Sequence, residues 1–80
     1  MTLSQKLLKE YRESYRQWVE LELKNKGEIS LGDMLANSRR QSELGAAMDL
    51  VQRVLGRKYA KAITDIGVEE SARLFNGGAA

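Results

Sequence analysis

The chain has no cysteine, no histidine and no proline among its 80 residues. Without cysteine no disulfide bridge can form, and without cysteine or histidine a zinc ion would lack its usual ligands. Acid–base catalysis near neutral pH would have to rely on strongly perturbed Asp, Glu, Lys or Tyr side chains. Phosphate-binding, dinucleotide-binding, calcium-binding and serine-nucleophile motifs are also missing from the sequence. We therefore expect no enzyme, no metal and no cofactor.

Length and composition point to a small globular protein. Eighty residues form one domain at most, and the core of so short a chain is thin. Hydrophobic residues make up 42% of the chain and charged residues 30%, and no apolar run approaches the roughly 20 residues of a membrane span. No secretory leader follows Met1, so we expect a cytoplasmic protein without a membrane partner. Small domains often gain burial by self-association, and we expect a homodimer.

The first part of the chain has the pattern of one long amphipathic helix. Thr2 and Gln5 fit a capping box, Gly27 can end the helix, and no helix breaker lies between. The spacing predicts a helix over about 3–26, with an apolar stripe that includes Leu8, Tyr11, Tyr15 and Trp18. The aromatic residues are interpreted mainly as core, and alternatively as a surface that binds a partner.

A second long helix is predicted to start after Ser30, which can act as its N-cap. Its apolar face is interrupted by the polar stretch 37–42, which contains neither glycine nor proline. We favour one continuous helix to about Gly56 over two shorter ones.

The C-terminal part is predicted to contain one or two short helices. A short amphipathic segment over 59–66 would stop at Gly67, and 68–75 would add one or two turns. A helix-turn-helix with Gly67 in the turn is a weak alternative, because acids would begin its recognition helix. The predicted fold is all-α: an antiparallel hairpin of two long helices closed by one or two short C-terminal helices. We expect one domain over 1–76 and a flexible tail over 77–80.

The short connection between the long helices sets the expected packing of the hairpin. Tyr15 and Trp18 should meet the small residues Ser42 and Gly45, so that Gly45→Leu overpacks the contact and costs about 1–3 kcal/mol. Glu22 falls near the centre of the first apolar stripe, and we expect it to be exposed at the fraying end of the helix rather than paired across the hairpin.

Positive charge is concentrated in the second half of the chain. Residues 39–61 hold six basic and two acidic side chains. If the second helix continues past Gly56, four of the basic residues form one ridge; the alternative is a solvated face neutralised by Asp49 and Asp65. Neighbours at positions 39 and 40 point about 100° apart on a helix, so they serve solubility better than recognition. The candidate binding residues are Arg39, Arg40, Arg53, Arg57, Lys58 and Lys61.

These patterns favour a non-enzymatic interaction protein: an adaptor, inhibitor or assembly factor that binds a protein partner and self-associates. The alternative is a nucleic-acid-associated accessory or regulatory protein that uses the ridge from Arg53 to Lys61. The candidate contacts with a partner or a second copy are the apolar residues Ile66, Leu74 and Phe75.

Overall fold

The computed structural model describes residues 1–76 and shows three α-helices with no strand in that range. Helix α1 spans Leu3–Asn25, α2 spans Leu31–Leu55 and α3 spans Ala60–Asn76, with a 3₁₀ turn at Arg57–Tyr59 before α3. The predicted hairpin of two long helices, followed by a C-terminal helix, is confirmed. The predicted tail at 77–80 lies outside the described residues.

Side chains satisfy the exposed backbone groups at the starts of α1 and α2. The Thr2 hydroxyl accepts a hydrogen bond from the Gln5 backbone at 3.2 Å, and the Gln5 side chain accepts one from the Thr2 backbone at 2.9 Å. The Ser30 hydroxyl accepts one from the backbone N–H of Asp33 at 3.1 Å. Both predicted N-caps are confirmed, because each hydroxyl accepts a hydrogen bond from a backbone N–H of the first turn that has no partner within the helix.

Gly56 forms the corner between α2 and α3. Its φ of 70° lies in the left-handed region, where glycine meets no Cβ penalty. Helix α2 runs unbroken through 37–42 to this corner, as predicted.

The predicted helix end at Gly67 is wrong, because α3 continues through it to Asn76. A Cβ at Gly67 would lie 3.6 Å from Cε2 of Tyr15, so the glycine marks a helix contact and not a turn. The helix-turn-helix alternative requires a turn at Gly67, and α3 is continuous there.

Helix α1 is the central element of the fold. Both α2 and α3 pack against α1, whereas they have few contacts with each other beyond the corner. A small cluster near the corner joins the three helices and contains Tyr11, Met48, Val51 and Ile66. The two outer helices therefore converge at Gly56 and separate away from it.

The polar stretch of α2 packs through side-chain amides rather than through small residues. Asn37 donates to Asn25 at 3.1 Å, and Gln41 donates to the backbone carbonyl of Trp18 at 3.2 Å. Gln41 also donates to the Glu22 carboxylate at 3.2 Å. The expectation that Glu22 is exposed was wrong: it is half-buried and bonded across the hairpin, because an amide of α2 lies opposite it.

Gly45 lines the same depression as Tyr15 and Trp18, against which the hairpin spacing predicted that it would pack. However, a Cβ at this position would meet no atom within 4 Å. Ser42 is exposed, and its hydroxyl donates to the carbonyl of Ser38. The predicted close packing of large residues against small ones is therefore wrong at this point, because Gly45 borders open space.

Candidate functional site: an open groove between α2 and α3

The separation of α2 from α3 leaves a groove whose floor is α1. Three adjoining depressions of about 480, 380 and 370 Å³ line it. The first two share Tyr15, the first and third share Thr64, and the second and third share Gln52. The three depressions therefore lie next to one another, and the third reaches the corner at Gly56.

Aromatic side chains of α1 form the floor of the groove. Ring centroids are 5.9 Å apart for Tyr11 and Tyr15, and 6.3 Å apart for Tyr15 and Trp18, with tilted planes. Tyr11 is buried, while Tyr15 and Trp18 are half-buried. The aromatic stripe is thus both core and surface: one side packs inward and the other faces the groove.

Hydrogen bonds hold the two tyrosines in place. The hydroxyls of Tyr15 and Ser71 lie 2.8 Å apart, which ties α1 to α3. Gln52 of α2 donates to the Tyr11 hydroxyl at 3.4 Å. Burial, and secondarily the neighbouring Tyr15, raises the pKa of Tyr11, so its phenol stays protonated and uncharged at neutral pH. The floor therefore offers fixed, neutral rings.

The walls consist of small and apolar residues with a basic end. On α3 the wall is formed by Thr64, Gly67, Val68, Ser71 and Ala72. Arg53 and Arg57 line the depression nearest the corner. Arg53 pairs with Asp49 at 3.0 Å, whereas no carboxylate of the described residues lies within ion-pair distance of Arg57. Arg57 is therefore available to an acidic group at this end.

The predicted basic ridge is not continuous, because α2 ends at Leu55 and the chain turns at Gly56. Lys61 pairs with Asp65 at 3.3 Å, so both ends of the ridge have acidic neighbours, as in the alternative of a neutralised face. The Lys58 ammonium lies 6.0 Å from the centroid of the Tyr59 ring.

The second basic pair, Arg39 and Arg40, has two different environments, as the rotation between neighbouring helical residues predicts. Arg40 bridges to Glu43 at 3.2 Å and donates to Gln17 of α1 at 3.3 Å. Arg39 is exposed on the same helix. The structure therefore does not bring these two arginines together with Arg57 in one site.

A buried ion cluster joins α1 to α3, and the sequence analysis missed it. Glu70 accepts hydrogen bonds from Arg12 at 3.0 Å and from Arg16 at 3.0 and 3.2 Å, and its side chain is only 5% exposed. The Arg16 and Arg12 hydrogen bonds lower the pKa of Glu70 against the opposing effect of burial. The signal was present: Glu70 continues the apolar spacing of Ile63 and Ile66, and the two arginines are one turn apart on α1.

The structure separates the three predicted contact residues. Ile66 is 6% exposed and belongs to the core near the corner, so it is not accessible to a partner. Leu74 is half-buried. The side chain of Phe75 lies outside the described residues.

Within 1–76 no group of three or more acidic, histidine or cysteine side chains is arranged to hold a metal ion. In the same range, no helix combines the length and the apolar character needed to cross a lipid bilayer. Comparison of the chain with protein-family models, curated proteins and solved structures finds no match.

Proposed function

We propose that this protein is a non-enzymatic interaction module that holds an apolar helical segment of a protein partner in the groove between α2 and α3. The observation that carries the proposal is the open aromatic floor, since a single copy leaves the half-buried Tyr15 and Trp18 facing a concave surface. Aromatic side chains in pockets supply much of the energy at protein interfaces. An adaptor, an inhibitor or an assembly factor would each work in this way.

The dimensions and charge of the groove suit one turn or two of an amphipathic helix. From Tyr11 to Trp18 the floor extends about 10 Å along α1. Grooves of this type bind helices through apolar anchors one turn apart. Because Arg57 lies at the corner end, an acidic residue at the matching end of the partner helix would pair with it.

A substitution at Gly45 tests this proposal, because the position lines the groove and a Cβ there meets no atom within 4 Å. Gly45→Phe should abolish retention of the partner from a lysate of the native host, whereas Ala36→Phe, at an exposed position of the same helix, should retain it. The purified partner should then shift the emission of Trp18, which is the single tryptophan of the chain.

The control variant separates groove binding from nonspecific adhesion. A protein that is retained equally by wild type, Gly45→Phe and Ala36→Phe does not bind in the groove. A partner that binds without changing Trp18 emission would also contradict the proposal.

A further inference from the structure

Tyr15 marks the boundary between the first two depressions of the groove. It is the one side chain that lines both of them in the described part of the chain. The other residues of the first depression come from α3, whereas those of the second come from α1 and α2. The ring therefore separates a recess on the α3 side from a recess on the α2 side.

Contacts with α3 fix the position of this ring. The Tyr15 hydroxyl lies 2.8 Å from that of Ser71, and Cε2 of the ring would lie 3.6 Å from a Cβ at Gly67. The ring is thus held by a hydrogen bond at its tip and by a helix contact along its edge. Tyr15 is therefore a fixed divider of the groove floor.

Small residues border both recesses. Gly45 lies on the α2 side, and Gly67, Ser71 and Ala72 lie on the α3 side. The volumes of the two recesses, about 480 and 380 Å³, fall within the range of pockets that bind apolar groups. Because small residues cannot fill recesses of this size, a partner helix must supply a large apolar side chain for each.

Helical geometry sets the spacing of these two side chains. Residues three or four apart project about 60° or 40° from each other, on either side of a line along the helix surface. Their Cβ atoms are about 5–6 Å apart, so two such side chains can lie on the two sides of one ring. Residues two or five apart project about 160° or 140° from each other, and they cannot both enter the floor.

The third depression determines the charge of the partner. It shares Thr64 with the first depression and Gln52 with the second, and both Arg53 and Arg57 line it. Arg53 already pairs with Asp49, whereas no carboxylate of the described residues lies within ion-pair distance of Arg57. An acidic side chain one turn from the apolar pair, towards the corner, would complement this charge.

We propose that Tyr15 is the specificity-determining residue of the groove. The groove selects a partner helix with two large apolar side chains three or four residues apart, one on each side of the Tyr15 ring, and an acidic residue one turn nearer the corner. This proposal rests on the proposed function, and it names the sequence pattern of the partner.

Selection from a displayed library of short helical peptides tests the pattern. Immobilised wild type should retain peptides with two large apolar residues at a spacing of three or four and an Asp or Glu one turn away. Changing either apolar residue of a selected peptide to alanine should weaken its binding by about tenfold or more, as measured by the emission of Trp18.

Phenylalanine substitutions in the protein test the two recesses one at a time. Gly45→Phe fills the recess on the α2 side, and Ala72→Phe, at an exposed position, fills the recess on the α3 side. Each should abolish binding of the selected peptides. Ala36→Phe is the matched control on an exposed position away from the groove, and it should leave binding unchanged.

A charge exchange tests the acidic residue separately. Replacing that residue of a selected peptide by lysine should weaken binding to wild type, and Arg57→Glu should restore it. Peptides with one apolar anchor, with anchors two or five residues apart, or with binding that survives Ala72→Phe would overturn this proposal while the groove remains a binding site. If wild type retains no peptide, or if Gly45→Phe retains the same peptides, the proposed function fails as well.

Discussion

The buried carboxylate of Glu70 supplies a stability prediction with a pH signature. Glu70→Gln keeps the shape of the side chain but replaces the charged acceptor of three arginine N–H groups by one amide oxygen. Hydrogen bonds to a charged group contribute about 1.5–3 kcal/mol each when taken alone, and they are not additive. Arg12 and Arg16 are 36% and 49% exposed. Water can therefore bind their guanidinium groups in the variant and offset part of the lost hydrogen-bond energy.

We therefore expect Glu70→Gln to lower the free energy of unfolding by about 2–3 kcal/mol at neutral pH. For a domain of this size that corresponds to a fall in Tm of about 10–20 °C. Thermal and urea unfolding followed by circular dichroism measure it, at one protein concentration for all variants because dimerisation would stabilise the folded chain.

The pH dependence has a definite sign. The arginines hold the pKa of Glu70 below its ordinary value in the folded protein. Its contribution is therefore fully present above the unfolded pKa and is lost as pH falls through the lower, folded pKa. The difference in stability between wild type and Glu70→Gln should shrink as the solution is acidified through that range.

Glu69→Gln is the matched control for this prediction. Glu69 pairs with Arg12 at 2.7 Å, but its side chain is 58% exposed, so the loss should be under about 1 kcal/mol. If Glu70→Gln costs no more than Glu69→Gln at neutral pH, or if its cost is unchanged in acid, the reasoning about the buried cluster is refuted.

Three further predictions follow from the groove and the corner. Gly45→Ala should raise stability by about 0.5–1 kcal/mol in urea unfolding, because the methyl group meets open space and alanine favours the helix; a loss of stability would show that the position is closely packed. Tyr15→Phe should lower the free energy of unfolding by about 0.5–1.5 kcal/mol in the same assay, because the hydrogen bond with Ser71 is lost. An unchanged free energy would show that this hydrogen bond does not stabilise the fold. Duplex DNA titrated at two salt concentrations should bind weakly or not at all, and Arg57→Glu with Lys61→Glu should change little; tight, salt-sensitive binding lost on reversal would favour the nucleic-acid alternative.

Local patterns in the sequence predicted the two long helices and their caps better than the contacts between helices. Thr2, Ser30 and Gly56 act within one turn of their own positions, so the sequence identified the starts of α1 and α2 and the end of α2. Gly67 was misjudged because its role depends on Tyr15, more than fifty residues away. The sequence alone does not distinguish a glycine that ends a helix from a glycine that leaves room for an aromatic ring of another helix.

The groove could not be predicted from the sequence, for a related reason. Apolar spacing predicts which sides of α2 and α3 turn inward, but it does not determine how far two helices separate from a corner. The opening depends on the φ of Gly56 and on the arginines that hold Glu70 against α1. The aromatic stripe was identified, whereas its second role as a groove floor required the tertiary arrangement.

Photo-cross-linking in the native host tests the central claim most directly. A benzophenone side chain at Val68, on the rim of the groove, should form an adduct with a partner protein, and the adduct should disappear when Gly45→Phe fills the groove. The same group at Ala36, an exposed position of α2 away from the groove, should give no such adduct. An adduct that forms equally from both positions, or that persists with Gly45→Phe, would contradict the assignment of the groove as the binding site.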